Sequence, residues 1–378
     1  MKLETINKYR ITIIILTYER QDFIRRQLLY YSNHPVHLIF ADGSTIRWPH
    51  GEHGTSNEMS WEYIHCPGYD TLMERLALAT QKVKTEYVCL LDDQECILFT
   101  GINSAINTLD AEPKNSCAGG LAALHVESNK FSELLPWRGT QLALLDTDPL
   151  ERFYKVVGPK HLAANLVYQV MRTDDLKNYS SIMRYHNGNS TAVHEVALAG
   201  FLSLKGKYSM GDYPYWIRNG GTVAPPEGFD VIIAREEIKQ ISEKIIDILN
   251  VSKYVRNSAN FDINTLASAI ETGWGQSSQW AKDSRDYLKG IRKNNNTKKR
   301  RLKRFLLTKI KIIKQEIYFR IEFHKNSKTN PNLSFLTYAK NHSNNSYSVI
   351  NDLLTLEKIW QTFPKGIPAE YWPKTMNT

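Results

Sequence analysis

The sequence predicts a mostly parallel α/β sheet with helices on both faces, followed by a helical C-terminal region. Short β-branched runs alternate with segments of 3.6-residue periodicity, the early runs end in polar or acidic clusters, and the excess positive charge lies far downstream. The 378 residues are 42% hydrophobic and include 20 Tyr, 13 Phe and 8 Trp, enough for a substantial core and too apolar for a disordered polymer.

Residues 11–18, ITIIILTY, read as a strand buried on both faces, as in a parallel sheet. Residues 20–32 read as a helix with Phe23, Leu28 and Leu29 inward and Arg25 and Arg26 outward. A second short strand, 37–41, closes on Asp42-Gly43-Ser44. Residues 48–60 carry no clear periodicity and read as loop, with a further strand at 61–64. In 71–84 the residues Leu72, Leu76, Ala79 and Val83 repeat at helical spacing, and 87–91, YVCLL, is the next buried strand, ending on Asp92-Asp93-Gln94-Glu95. Parallel packing gathers the three polar strand ends on one edge, where such sheets bind ligands.

Further on, 103–109 reads as helix, 117–125 as strand, and 138–160 as mostly loop. A strand is expected at 166–172, then helices at 173–184 and 192–204, the latter stopped by Gly206. The Gly-, Pro- and Tyr-rich stretch 211–228 reads as an irregular segment closing a domain of residues 1–235. A helical region, 236–330, and a linker with C-terminal tail, 331–378, complete the expected organisation, with residues 347–360 again helical in pattern.

Charge divides the chain in the same way. Residues 1–200 hold 19 Lys and Arg against 23 Asp and Glu, whereas 281–325 hold 16 basic and 4 acidic side chains, more than the whole chain's net +9. Within residues 298–323, Leu302, Phe305, Leu306, Ile310, Ile313 and Ile317 share one helical face and lysines and arginines fill much of the rest. Such a basic amphipathic helix suits an anionic membrane surface. No recognition motif accompanies the charge, so nucleic acid is not expected as a partner. No run approaches the roughly 18 apolar residues of a membrane span, and no secretory signal is visible at 1–10. The expected location is the cytoplasm, peripheral on the inner face of the membrane. Cys66, Cys89, Cys96 and Cys117 have no zinc-type spacing and read as reduced core thiols.

Acids directly after a buried strand suit a hard divalent cation that leaves positions open for phosphate oxygens, which makes Asp92, Asp93 and Glu95 candidates. Solvated turn residues would give the same spacing. Asp42, on the neighbouring strand end, could accept hydrogen bonds from a ribose or base, and Arg75 could reach a phosphate.

The order ITIIILTYER, IFADGS and ERLALATQKVKTEYVCLLDDQE resembles the nucleotide-sugar domain of family 2 glycosyltransferases, over roughly residues 10–220. The resemblance implies a GT-A-like, Rossmann-type sheet of the bacterial surface-polysaccharide kind. It implies that Thr17, Tyr18 and Glu19 line the base and ribose, that Asp42 contacts the nucleoside with Arg75 near the nucleotide, and that Asp93 and Glu95, with Asp92 beside them, hold Mn²⁺ or Mg²⁺ on the diphosphate. The sequence departs from the family pattern in three places: no proline precedes Thr17, Ala41 replaces an acid, and the metal motif is D-x-E. The implied reaction transfers a sugar from a nucleoside-diphosphate sugar to a hydroxyl of a glycan or lipid-linked acceptor, with inversion. A base would come from the start of a later helix, where Glu195 is the candidate and His194 the second. Trp216 and Arg218, with Tyr213 and Tyr215, would contact substrate, although domain-closing packing explains the aromatics equally well. Two other readings stand beside this one: a sugar-phosphate nucleotidyltransferase, and a non-catalytic scaffold of a polysaccharide assembly complex.

Overall fold

The computed structural model describes residues 9–56, 58–68, 72–128, 131–136, 143–157, 166–183, 191–219 and 347–362. The expected helical region 236–330, with its basic stretch 298–323, and the linker before residue 347 lie outside the described residues. Among the described residues no helix is long and apolar enough to cross a membrane.

The centre of the fold is β1 (Ile11–Thr17), whose alternating neighbours in sequence are all apolar or β-branched because both sheet faces are covered. It pairs in parallel with β2 (His37–Asp42) on one side and β5 (Tyr87–Asp92) on the other. β4 (Met59–His65) extends the sheet in parallel beyond β2, and β3 (His53–Ser56) closes that edge in antiparallel. Beyond β5 come β9 (Val170–Arg172), β7 (Asn115–Ser128), β10 (Lys207–Asn219) and β6 (Cys96–Ile97), with β8 (Phe131–Pro136) paired to β7. The chain moves outward from β1 through β2 to β4, then crosses back to β5. That reversal places a topological switch point between the carboxyl ends of β1 and β5.

Connections that leave β1 toward both edges of the sheet put helices on both faces. α1 (Gln21–Tyr31), α3 (Phe99–Ala111) and the C-terminal α7 (Tyr347–Thr362) form one group. The other contains α2 (Leu72–Lys82), α4 (Pro149–Val157), α5 (Thr173–Met183) and α6 (Thr191–Lys205). One continuous apolar cluster joins the sheet to both layers and includes Leu353, Leu356 and Trp360 of α7.

Several expectations need correction. Residues 48–60 contain β3, an edge strand whose polar, Gly-containing sequence lacks the alternation of a half-buried strand. Residues 138–160 contain α4, and the strand expected at 166–172 shortens to β9 because 166–167 are helical. Residues 211–219 are strand, not irregular. β10 pairs with β7 through register shifts around Pro214, so bulges absorb the residues that look like breakers in sequence. Arg25 and Arg26 are buried, not outward. Arg25 pairs with Asp22 and lies 3.0 Å from His50 in the loop after β2, and Arg26 lies against the Phe23 ring and the Trp360 ring of α7, which covers that part of α1.

Gly206 does end its helix, and it also lets two chain segments touch. A Cβ there would lie 2.7 Å from both the Lys114 carbonyl oxygen and the Ser116 amide nitrogen, backbone atoms that cannot rotate away. Gly206→Ala is therefore expected to cost about 1–3 kcal/mol by overpacking, read as a shifted midpoint in denaturant unfolding at unchanged slope.

Candidate functional site

The switch point gathers most of the polar residues singled out in the sequence. The Thr17 hydroxyl at the end of β1 donates to Asp93 Oδ2 at 2.7 Å, which ties the first strand to the acidic turn across the gap. Glu19 has a left-handed backbone, φ 54°, which is uncommon for a non-glycine residue and typical of ligand loops. The turn is held in that shape from the neighbouring strand: Glu19 N–H donates to Ser44 Oγ at 2.6 Å, and Glu19 Oε1 accepts from Thr45 N–H at 2.7 Å. Tyr18, between them, is 59% exposed and presents an open aromatic ring at the mouth.

Asp42 sits deeper than a ligand-facing acid would. Its carboxylate accepts from the Ser44 amide at 2.8 Å, the Ser44 hydroxyl, the Gln21 amide at 2.9 Å and the Tyr63 hydroxyl at 2.8 Å, and it is fully buried. It builds the loop that supports Glu19. Arg75 of α2 donates to the Thr17 carbonyl at 2.7 Å, and its guanidinium carbon lies 5.9 Å from the Tyr18 ring centre. Gly43 makes room for it, since a Cβ there would lie 2.7 Å from Nη1.

The acids after β5 diverge. Asp93, buried against Thr17, lies 3.6 Å from Arg20. Glu95, also buried, accepts from the Trp216 indole N–H at 2.7 Å and pairs with Arg218 Nε at 3.2 Å. Trp216 and Arg218 are two apart on β10 and therefore share a sheet face, which explains why both reach the same acid. Trp216 is fully buried, with one ring face stacked on Tyr168 at 4.4 Å, so it supports Glu95 and offers no open platform. Tyr215 is fully buried as well, donating to the Tyr168 carbonyl at 2.8 Å. Asp92 turns the other way, toward Glu195 of α6. The Tyr168 hydroxyl lies 3.2 Å from Asp92 Oδ2 and 3.4 Å from Glu195 Oε1, and both acids line a cavity of about 40 Å³ with otherwise apolar walls that include Leu16, Leu91 and Leu198. The side chain of His194 lies outside the described residues. Among the described residues, no three His, Cys, Asp or Glu side chains form a ready metal-ligand group.

Sequence reasoning missed Tyr168, Arg20, Gln27 and Arg26. Tyr168 lies in a stretch that reads as strand, and its bridging position depends on a turn that shortens that strand. Gln27 donates to the carbonyls of Asp93, at 2.7 Å, and Glu95, at 2.5 Å, and Arg26 donates to that of Gln94 at 2.6 Å. Three consecutive carbonyls of the acidic turn are thus held by two adjacent side chains of α1.

The carboxyls hold their protons unusually well. Burial, then the charge of Asp92, pushes Glu195 up to about 7, and burial, opposed by the Thr17 hydrogen bond, brings Asp93 to about 7. Burial raises Asp92, and burial and Asp92 raise Glu95 far above the usual carboxylate range. A carboxyl whose pKa rises on folding favours the folded state when protonated. Stability from Glu195 and Asp93 is therefore fully present below about pH 4 and falls as pH rises to about 7, flattening above, by about 1.4 kcal/mol per pH unit for each group. The protein is expected to unfold at a lower denaturant concentration at pH 8 than at pH 5, and Glu195→Gln to remove a substantial part of that difference.

No protein-family model matches the chain, and no curated protein matches it. Among solved structures, the chain is similar to S. aureus TarS 1–349, at 10% identity and a TM-score of 0.42, covering 69% of each chain. The same protein in complex with UDP-GlcNAc gives 10% identity and a TM-score of 0.45 over 71% of this chain and 72% of that one. The S. aureus TarS structure without those residue bounds gives 11% and 0.42 over 71% and 43%.

Proposed function

We propose that this protein is a glycosyltransferase that moves a sugar from a nucleoside-diphosphate sugar to an acceptor hydroxyl, with inversion at the anomeric carbon. The observation that carries the reading is the joining of β1 and β5 at the switch point by the Thr17–Asp93 hydrogen bond, beside Asp92 and Glu195. A nucleotide is expected over the Tyr18 ring and the Glu19 turn, with Arg75 and Arg20 supplying positive charge nearby. Asp42 acts through the loop it builds.

Glu195 is the proposed base. Its carboxylate takes the proton of the acceptor hydroxyl while that oxygen bonds to the anomeric carbon and the bond from that carbon to the diphosphate breaks. A carboxyl poised near 7 suits this task at neutral pH, because enough is ionised to accept a proton that it holds well. The Tyr168 hydroxyl orients it. Trp216 and Arg218 fix Glu95, and Thr17 fixes Asp93, so the acids do not swing as charge develops.

The proposed cation is Mn²⁺ or Mg²⁺, which takes carboxylate oxygens such as those after β5. Among the described residues these side chains point apart and form no ready ligand group, so holding one requires them to turn toward each other. Asp93 and Glu95, with Asp92, would hold it. When bound, such a cation supplies positive charge to the leaving diphosphate. The basic, amphipathic composition of residues 298–323 supports an acceptor held at an anionic membrane surface, such as a lipid-linked glycan.

The test is a panel of UDP, GDP, CDP and dTDP sugars, with and without Mn²⁺, read by thermal shift and nucleotide release. One nucleotide is expected to stabilise the protein, and Asp93→Ala to lose that stabilisation. If none of them binds, the enzyme reading fails and the scaffold reading replaces it. Glu195→Gln is expected to lower kcat by about 10²–10⁴-fold while leaving nucleotide affinity nearly unchanged, and to abolish a rise in rate with pH through about 7.

A further inference from the structure

The helix α7, more than a hundred residues beyond β10 in sequence, docks behind the acidic turn. Its anchor is Asp352, buried between α1 and α3. Asp352 Oδ1 accepts from the Tyr30 hydroxyl at 2.9 Å and lies 3.5 Å from His34 Nε2, and Oδ2 accepts from the Thr100 amide at 3.0 Å and hydroxyl at 2.9 Å. α3 has Leu98 at its N-cap and no side-chain cap of its own, so Asp352 supplies from α7 the acceptor that the first turn lacks.

One helical stretch further along, Trp360 lies over Arg26, 4.9 Å from the guanidinium carbon to the ring centre, and against His125 at 4.8 Å. Phe23 covers Arg26 from within α1, at 4.6 Å. The guanidinium thus contacts two aromatic rings while Nη2 holds the Gln94 carbonyl, inside the Asp93–Glu95 segment that Gln27 holds at its two ends. An arginine has several rotatable bonds, and contact with two rings limits the directions this one can take.

We propose that Trp360 is a positioning residue for the acidic turn: by stacking on Arg26 it holds the Gln94 carbonyl, and with it Asp93 and Glu95, in register, so that the site is complete only when α7 is docked. The part of this that concerns turnover rests on the glycosyltransferase reading. The part that concerns the turn does not.

The experiment uses the full chain and reads hydrogen exchange of the Glu95 and Cys96 amides, which bond to Asp92 and pair with β10. Trp360→Ala is expected to speed their exchange by about tenfold or more, Trp360→Phe to leave it near the parent rate, and Leu353→Ala, which opens a void under the same helix with Trp360 in place, to speed it less at a matched loss of global stability. If Trp360→Ala does not fold, Arg26→Lys takes its place, since a lysine keeps the charge and loses the planar stack. Unchanged exchange in the Trp360→Ala or Arg26→Lys protein overturns the proposal, as does equal acceleration in Leu353→Ala. With a donor identified, Trp360→Ala is also expected to lower kcat by about tenfold more than it raises KM, with rescue by phenylalanine. If no donor is found, the glycosyltransferase reading fails while the exchange rates still decide the role of Trp360.

Discussion

Four carboxylates, Asp92, Asp93, Glu95 and Glu195, are crowded at one edge of the sheet, and the surrounding architecture is arranged around that crowding. Each acid has its own support. Asp93 leans on Thr17, Glu95 on Trp216 and Arg218, and Asp92 and Glu195 on the Tyr168 hydroxyl. Buried charge of one sign is costly unless it is hydrogen-bonded or partly protonated, and here it is both. Polar rigidity of this kind is what electrostatic catalysis requires, because side chains fixed beforehand need not reorganise as charge moves.

The backbone of the acidic turn is as tightly held as its side chains. Carbonyls at the end of a strand ordinarily meet solvent or a helix N-terminus, but those of residues 93–95 meet an amide and a guanidinium of α1. The first β-α unit therefore does more than cover the sheet. It fixes the loop of a strand more than sixty residues away.

Much of this was legible in the sequence. The β-branched run of β1, the 3.6-residue spacing of α2 and the YVCLL strand each have one physical explanation, burial on a parallel sheet, and they placed the polar strand ends on a common edge. Glu195 was singled out by its place in the first turns of a helix, and it lines the same cavity as Asp92. What stayed hidden depended on distant chain segments. Arg25 and Arg26 look solvent-facing because nothing local shows that the His50 loop will meet the first and α7 the second. Asp42 looks ligand-facing because the donors that surround it come from Gln21, Ser44 and Tyr63. β10 looks irregular because bulges, not periodicity, reconcile its Gly and Pro with the ladder of β7.

The capping of α3 by Asp352 has a consequence for the order in which the protein can be made. During synthesis the strands and helices up to residue 219 leave the ribosome first, and their sheet can pair as it emerges. The first turn of α3 and the guanidinium of Arg26 must wait for α7, which is translated more than a hundred residues later. Until α7 emerges, the apolar surface of α1 and α3 that it covers lacks that cover, which is when chaperones and neighbouring nascent chains compete for it.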